Sequence, residues 1–212
     1  SSRTVPFLSK ATGYSLADIA TRAILGISLK EQGIFDLYPD EKQRWYVKVP
    51  VFSLAKIRGL DAYLSPEMKS TGEAIGYDAR LNRALYKALQ ASGMQLQNYG
   101  TVLATVADKD KEEALPLNRR FYNLGYNIEA TPGTAQFLRE NGIRTRVRRK
   151  LSVDADDIPS ALRQGHIAYV INTHDVGSMG QARDGFMIRR LSVENNVTMF
   201  TALDTVRVLL DV

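Results

Sequence analysis

The 212-residue sequence predicts an α/β fold, with a five-stranded parallel sheet flanked by helices in its C-terminal part and a partial α+β region before it. From Gly100 onward, short apolar segments alternate with amphipathic ones, as expected when crossover helices cover both faces of a parallel sheet. Residues 1–99 lack this alternation. The chain is 44% hydrophobic and 24% charged, which suffices for one or two ordinary cores and argues against disorder.

In the N-terminal region, Ser15 and Asp18 form a capping-box pattern before a predicted helix over residues 19–25. A strand is predicted over residues 45–52, and its proline indicates an edge strand or a bulge. A second helix is predicted over residues 81–90. Residues 93–99 are polar and contain glycine, so the predicted organisation is a first domain over 1–92, a linker over 93–99 and a second domain over 100–212.

The strands predicted in the second domain are short apolar runs at residues 101–106, 126–130, 144–147, 167–171 and 197–200. Helices are predicted between and after them, at residues 111–124, 135–141, from about 156 or 157, at 186–194 and at 203–210. Asp156 or Asp157 can cap the third of these helices. Pro116 either is tolerated near the start of the first or kinks it.

The turn at residues 131–134 (TPGT) lies between a predicted strand and a predicted helix. The first amide N–H groups of a helix lack intrahelical partners and carry partial positive charge, and an oxyanion satisfies both. Gly133 allows close approach of the backbone, Thr131 and Thr134 can donate hydroxyl hydrogen bonds, and Thr134 can also cap the helix. A plain strand-to-helix connection with a threonine cap is the open alternative.

Other polar residues follow the remaining predicted strands: Lys111, Lys150, the pair Asn172 and Thr173, and Thr201. Ligands of open parallel sheets bind beyond the carboxyl ends of the strands. Each residue alone has an ordinary explanation as a solvated lysine or a turn residue. Together with the turn at 131–134 they predict a phosphate-binding pocket.

The formal net charge of +5 and the pI near 9.4 favour anionic partners. The densest basic run, residues 144–150 (RTRVRRK), is interpreted as the solvated face of an edge strand. A nucleic-acid surface is the alternative, but no aromatic residue is interleaved with the basic ones, so no nucleic-acid partner is predicted.

The composition also limits other classes of site. Cysteine is absent, which excludes disulfides and thiolate metal sites, and His166 and His174 alone do not make a metal site. No apolar run approaches the roughly 20 residues of a membrane span, and no signal-peptide core is visible. The expected compartment is the cytoplasm, with no membrane partner.

Several segments resemble the large chain of carbamoyl-phosphate synthase. They lie at residues 1–13 (SSRTVPFLSKATG), 65–73 (SPEMKSTGE), 110–113 (DKEE), 130–135 (ATPGTA), 171–173 (INT) and 184–190 (DGFMIRR). The resemblance covers the whole sequence. Residues 1–92 are similar to the end of the second ATP-grasp unit, which phosphorylates carbamate, and the rest is similar to the C-terminal methylglyoxal-synthase-like domain.

The resemblance implies a ligase that makes carbamoyl phosphate from bicarbonate, glutamine-derived ammonia and ATP, for pyrimidine or arginine biosynthesis. The last domain of the family is regulatory. The resemblance implies that it holds the phosphate of a nucleotide effector on residues already singled out above: Lys111, Thr131, Gly133, Thr134, Lys150, Asn172 and Thr173.

Arg3 matches an arginine that the family places beside the phosphorylated intermediate, and it is the catalytic candidate. The alternative for Arg3 is a solvent-exposed charge. Glu67, Lys69 and Glu73 are acid/base candidates that a charged loop explains equally well.

The resemblance also implies partners and cofactors. The partners are the rest of the large chain, the small glutaminase subunit, a nucleotide effector and, as an option, further copies in an oligomer. Val49 stands where ornithine-responsive members have a glutamate, and residues 49–52 look like those of pyrimidine-pathway members, so UMP is favoured over IMP or phosphoribosyl pyrophosphate.

ATP with Mg²⁺ or Mn²⁺ is implied for the full-length enzyme. The resemblance also implies that the sequence starts within a domain and lacks the segments that hold these groups, so no cofactor or metal is expected on it and it is expected to be inactive alone.

A stand-alone lyase of the methylglyoxal synthase type is the alternative function. It needs a carboxylate base beside an enediolate. The candidates near the predicted pocket are Asp154, Asp156, Asp157 and His174.

Overall fold

A computed structural model describes residues 3–36, 41–53, 62, 70–151, 153–154, 156–173 and 179–212, with no account of the side chains of 179–182. The chain divides into two compact units. The first contains residues up to 52 together with 70–93, and the second contains 53–69 and 94–212. None of the helices in the described ranges is long and apolar enough to cross a membrane.

The first unit contains three helices and a two-stranded sheet among its described residues. The elements are α1 (Thr4–Thr12), α2 (Leu16–Ile24), β1 (Trp45–Val51), β2 (Gly72–Asp78) and α3 (Leu81–Ala91). Strands β1 and β2 are antiparallel, and α3 packs against β2. A Cβ atom on Gly76 would lie 2.2 Å from the carbonyl oxygen of Ala84, so this contact requires glycine.

The predicted capping box is wrong, although α2, β1 and α3 lie close to the two helices and the strand predicted in this region. Helix α1 and strand β2 were not predicted. Ser15 occupies the N-cap position of α2 without a side-chain capping hydrogen bond. The Asp18 carboxylate instead pairs with Arg22 one turn later, at 3.1 Å. The i,i+4 ion pair therefore replaces the capping contact that the sequence pattern suggested.

The second unit contains a parallel five-stranded sheet, as the sequence predicted. The strand order is β5-β4-β3-β6-β7. Its elements are β3 (Thr101–Thr105), α4 (Lys111–Asn123), β4 (Asn127–Ala130), α5 (Pro132–Glu140), β5 (Thr145–Val147), α6 (Asp157–Arg163), β6 (Ile167–Asn172), α7 (Met179–Glu194), β7 (Thr198–Phe200) and α8 (Leu203–Asp211). A short 3₁₀ turn at Asp108–Asp110 precedes α4.

Both faces of this sheet are covered, which explains why strands β3 and β6 are mainly apolar. One core contains Val102 and Ala104 of β3 and side chains of α4, α5 and α8. The other contains Leu103 of β3 and side chains of α6 and α7. All residues of β3 and β6 are buried. Burial on both faces is typical of a parallel sheet with crossover helices.

Two helices of the second unit begin earlier than predicted. Helix α5 begins at Pro132, so the turn at 131–134 is the N-terminal turn of the helix, with Thr131 at the N-cap. Proline suits the first helical position because its missing N–H would have no helical acceptor there. Helix α7 begins at Met179, seven residues before the predicted start at 186. Residues 174–178, which precede it, lie outside the described residues.

The expected linker belongs largely to the second unit, because two tyrosines anchor it. The hydroxyl groups of Tyr126 and Tyr169 donate hydrogen bonds to the Gln97 carbonyl oxygen at 2.5 and 2.7 Å. Burial raises the pKa of Tyr126 to about 12, so this hydroxyl keeps its proton at physiological pH. Thr198 also donates to the carbonyl oxygen of Gln95, at 2.9 Å.

The basic run at residues 144–150 is only partly a solvated face. Strand β5 is at the edge of the sheet, and Arg146 and Arg149 are exposed as predicted. Arg148, however, is buried and makes a bidentate ion pair with Glu129, at 2.6 and 3.0 Å. Its Nη1 atom also donates to Asp157 at 2.9 Å. The prediction of a wholly solvated run is therefore wrong at Arg148, where the chain leaves the strand and turns beneath α6.

Replacement of Arg148 tests the contribution of this ion pair. Arg148→Met should lower the free energy of unfolding by about 3 kcal/mol, because it leaves the Glu129 carboxylate buried without its main partner. Urea denaturation followed by circular dichroism measures the change. Arg146→Met is the matched control, since that side chain is 71% exposed, and it should change stability by less than about 0.5 kcal/mol. Equal stability of the two variants would show that the buried pair contributes nothing.

Candidate functional site

A cleft of about 210 Å³ lies at the carboxyl ends of the strands in the second unit. Every residue predicted for the effector site lines it: Lys111, Thr131, Gly133, Thr134, Lys150, Asn172 and Thr173. These residues come from four separate segments of the chain. The parallel sheet brings them to one edge, as the sequence argument required.

The N-terminus of α5 forms one wall of this cleft. Thr131 has extended backbone angles (φ −63°, ψ 155°) at the N-cap, and its side chain makes no capping hydrogen bond. The amide N–H groups of the first turn have no intrahelical acceptors and point out of the helix. Gly133 has no side chain above them. The wall therefore presents hydrogen-bond donors with partial positive charge.

Thr134 has a structural contact that the sequence did not predict. It is 3% exposed and lies within α5, so the expectation that it caps the helix is wrong. Its hydroxyl accepts a hydrogen bond from the Val106 N–H at 3.2 Å and is 3.3 Å from the Val106 carbonyl oxygen, to which it donates. These contacts hold the first turn of α5 against the chain that leaves β3.

Lys111 extends over the N-terminal turn of α5. A Cβ atom on Gly133 would lie 3.6 Å from the Lys111 ammonium nitrogen, which shows how closely the ammonium approaches this turn. A cation near a helix N-terminus is electrostatically unfavourable. The Asp108 carboxylate offsets part of this cost, because one of its oxygens lies 2.6 Å from the ammonium.

Asp108 is close to two cations of the cleft. The hydrogen bond from Lys111 lowers the pKa of the Asp108 carboxyl, and the charges of Lys111 and Lys150 lower it further, against a smaller opposing effect of burial. Its side chain is 84% exposed, so an incoming ligand can displace it. The Asp108 carboxylate is thus an anion of the protein itself, at the place where a bound anion would contact the same lysines.

Asn172 and Thr173 form the floor of the cleft through hydrogen bonds within the protein. The Thr173 hydroxyl oxygen accepts from the Ala107 N–H at 2.8 Å. The Asn172 side-chain nitrogen donates to the Thr105 hydroxyl oxygen at 2.6 Å, and Asn172 is 2% exposed. Asn172 therefore supports the floor of the cleft and does not present an exposed amide to a bound molecule.

Other lining residues were not predicted as site residues. Apart from the apolar ones, they are Thr105, Asp108, Asp184, Gly185 and Arg189. Three of them lie in the segment at residues 184–190, which contributed to the family resemblance but was not assigned to the site. The helical spacing of Gly185 and Arg189, four residues apart on α7, was the available signal that both face the same surface.

Thr201 lies at the same edge of the sheet but lines a different cleft. This second cleft has a volume of about 230 Å³ and also contains Lys109, Asp110 and Asp204. Thr173 lines both clefts, so they are neighbours.

Arg3 lies in the first unit and is not exposed as the alternative reading expected. Its guanidinium donates to the Ser70 hydroxyl and to the Ser70 carbonyl oxygen, the latter at 2.5 Å. These contacts join α1 to the residues before β2, and the catalytic role of Arg3 stays a prediction. Glu73 lies 3.5 Å from Lys48, whereas Glu67 and Lys69 are outside the described residues.

The carboxylates first considered for a lyase are not in the cleft. Asp154 pairs with Arg149, Asp156 pairs with Arg163, and Asp157 accepts from Arg148 and from the Arg149 backbone N–H. His174 lies outside the described residues. The carboxylates that do line the cleft are Asp108 and Asp184.

Across the ranges that the structure describes, no group of three or more histidine, aspartate or glutamate side chains could hold a metal ion. The charged groups that line the cleft among these residues are two lysines, one arginine and two aspartates. This set suits an anionic organic ligand.

Comparisons with known proteins found two similarities. Residues 113–201 match the family described as "MGS-like domain". One solved structure that aligns with the chain is methylglyoxal synthase from Elizabethkingia anophelis NUHP1, with a TM-score of 0.43, 18% identity, and coverage of 54% of this chain and 79% of that one. The matched residues include the N-terminal wall of α5, Lys150 and the floor of the cleft. Residues 113–201 of the second unit are thus similar to the MGS-like domain family.

Proposed function

We propose that the second unit is a regulatory domain of carbamoyl-phosphate synthase and that its cleft binds the phosphate of a nucleotide effector. The observation that supports this most directly is the meeting of Lys111 and Lys150 with the N-terminus of α5 in one cleft. The lysines and the helix N-terminus both favour an oxyanion. The lysines already interact with an exposed carboxylate of the protein itself, that of Asp108.

The charges of the cleft agree with a phosphate ligand. Its cations are Lys111, Lys150 and Arg189, and its anions are Asp108 and Asp184. Displacement of the exposed Asp108 carboxylate by a phosphate would free Lys111 to contact the ligand. The volume is below the roughly 300 Å³ at which pockets begin to enclose drug-sized molecules. We expect the phosphate to occupy the cleft and the nucleoside to extend beyond it.

The wider assignment rests on the sequence resemblance. In this proposal the chain works with the rest of the large chain and a glutaminase subunit, and the complete enzyme is a ligase that uses ATP and Mg²⁺ or Mn²⁺. The first unit would then be the end of an ATP-grasp domain. No ATP-dependent step is assigned to its described residues, among which no metal-binding group is found. Val49 and the following residues favour UMP as the effector over IMP or phosphoribosyl pyrophosphate.

A methylglyoxal synthase activity is the second candidate, because Asp108 and Asp184 line the same cleft as the phosphate-binding groups. In that reaction a carboxylate removes a proton from the hydroxymethyl carbon of dihydroxyacetone phosphate. The resulting enediolate then expels inorganic phosphate as the C–O bond breaks. The observed pairing of Asp108 with Lys111 favours the regulatory function, since it engages one candidate base.

Binding of UMP should raise the melting temperature of the full chain. At a ligand concentration 100 times Kd, the stabilisation is about 2.7 kcal/mol, or roughly 5 °C or more for a domain of this size. Differential scanning fluorimetry measures the shift, with uridine as the control that lacks the phosphate. Lys150→Met should abolish most of the shift, whereas Lys109→Met, which changes a lysine of the second cleft, should retain it. Equal shifts with uridine and UMP, or no shift with UMP, IMP or phosphoribosyl pyrophosphate, would contradict the proposal.

Replacement of the internal anion should strengthen phosphate binding. Asp108→Asn removes the carboxylate that lies 2.6 Å from the Lys111 ammonium, so a ligand no longer competes with it, and affinity should rise by about threefold to tenfold. Calorimetric titration with inorganic phosphate and UMP measures the change. Glu112→Gln, an exposed carboxylate on the first turn of α4, is the control for net charge. Weaker binding by Asp108→Asn would show that this carboxylate supports the site.

An enzymatic assay decides between the two functions. Incubation of the full chain with dihydroxyacetone phosphate should release no inorganic phosphate above the uncatalysed rate if the domain is regulatory. Release that is lost in Asp184→Asn would instead establish a lyase that uses a carboxylate of the cleft. The variant distinguishes turnover at this site from a contaminating phosphatase.

A further inference from the structure

We infer that Arg189 is a positioning residue of the cleft, which fixes the orientation of the Asn172 amide and, through it, the Thr105 hydroxyl. The effect on ligand affinity rests on the proposed function, whereas the effect on the amide does not. Arg189 is 2% exposed although it carries a permanent charge. A buried guanidinium is costly unless its hydrogen bonds organise its surroundings.

The contact between Arg189 and Asn172 is direct. Atom Nη1 of Arg189 donates to the Asn172 side-chain oxygen at 2.8 Å. Gly185, one turn earlier on α7, leaves the space for this contact. A Cβ atom at residue 185 would lie 3.1 Å from the same Nη1 atom and 3.6 Å from the Asn172 oxygen. The glycine thus allows α7 to bring the guanidinium to the end of β6.

This hydrogen bond determines which way the Asn172 amide faces. A guanidinium has donors only, so it must face the amide oxygen, and the amide nitrogen then faces the opposite side. There the nitrogen donates to the Thr105 hydroxyl oxygen at 2.6 Å. The Thr105 hydroxyl is 3.3 Å from the Ile171 carbonyl oxygen and donates to it. Every donor in the series therefore has a defined direction.

The series spans the two central strands at the edge where the cleft opens. Thr105 of β3 and Asn172 of β6 are partners in the parallel register. If Arg189 were absent, the amide could rotate by 180° and turn its oxygen toward Thr105. The Thr105 hydroxyl would then donate to this oxygen instead of to the Ile171 carbonyl oxygen. The defined orientation of the amide therefore fixes the direction of the hydrogen bond made by the Thr105 hydroxyl, and Thr105 lines the cleft.

Two substitutions on α7 test this inference in the full chain. Arg189→Met removes the donor and the charge. Gly185→Ala moves the guanidinium by a few tenths of an ångström but retains both. Arg190→Met is the matched control, because Arg190 is exposed and pairs with Glu194 at 2.7 Å. NMR records the Asn172 side-chain amide signals, assigned by their loss in Asn172→Leu, and calorimetry measures the Kd for inorganic phosphate and UMP.

Arg189→Met should shift the Asn172 amide signals and weaken phosphate binding about tenfold, the effect of losing one hydrogen bond to a charged group. Gly185→Ala should shift the same signals and weaken binding by about threefold. Arg190→Met should change neither. Unmoved Asn172 signals in a folded Arg189→Met chain would overturn the inference. If Arg189→Met does not fold, the Asn172 signals of Gly185→Ala decide it. If the unmodified chain binds neither phosphate nor UMP, the proposed function is wrong, while the amide signals still decide the role of Arg189.

Discussion

All five strands of the second unit run in one direction, and the chemistry of the unit depends on this arrangement. Parallel strands end at one edge, so residues distant in the chain meet there without any long-range sequence signal. Lys111 and Lys150 are examples, since each follows a different strand. The two apolar cores hold the sheet rigid from both faces, which leaves the polar groups at the edge fixed relative to one another.

The cleft combines groups that attract an anion with a carboxylate of the protein that partly neutralises their charge. The N-terminus of α5 and the nearby lysines form a positive region, and the exposed Asp108 carboxylate interacts with it. Thr134 holds the helix end in place through Val106 rather than contacting solvent. Binding in such a site is an exchange of one anion for another. Its affinity depends on how much better a phosphate with several oxygens fills the cleft than a single carboxylate does.

The sequence predicted the sheet and the main part of the cleft because these depend on local signals. Apolar runs marked the strands, and polar residues directly after them marked the edge. Arg189 was not assigned to the cleft because it lies within a helix, and its approach to Asn172 depends on how α7 packs. The burial of Arg148 was missed for a related reason, since its partner Glu129 lies on a neighbouring strand. Contacts between elements require a register and a packing geometry that residue patterns do not contain.

The tyrosine contacts at Gln97 have a consequence for how the domain is attached to the chain. Residues 95–97 are held at the edge where Thr198 begins its strand and Tyr126 precedes another, opposite to the edge where the cleft opens. The attachment point and the cleft are thereby separated by the full length of the strands. The segment through which the sheet joins the upstream chain therefore contributes no residue to the lining of the cleft.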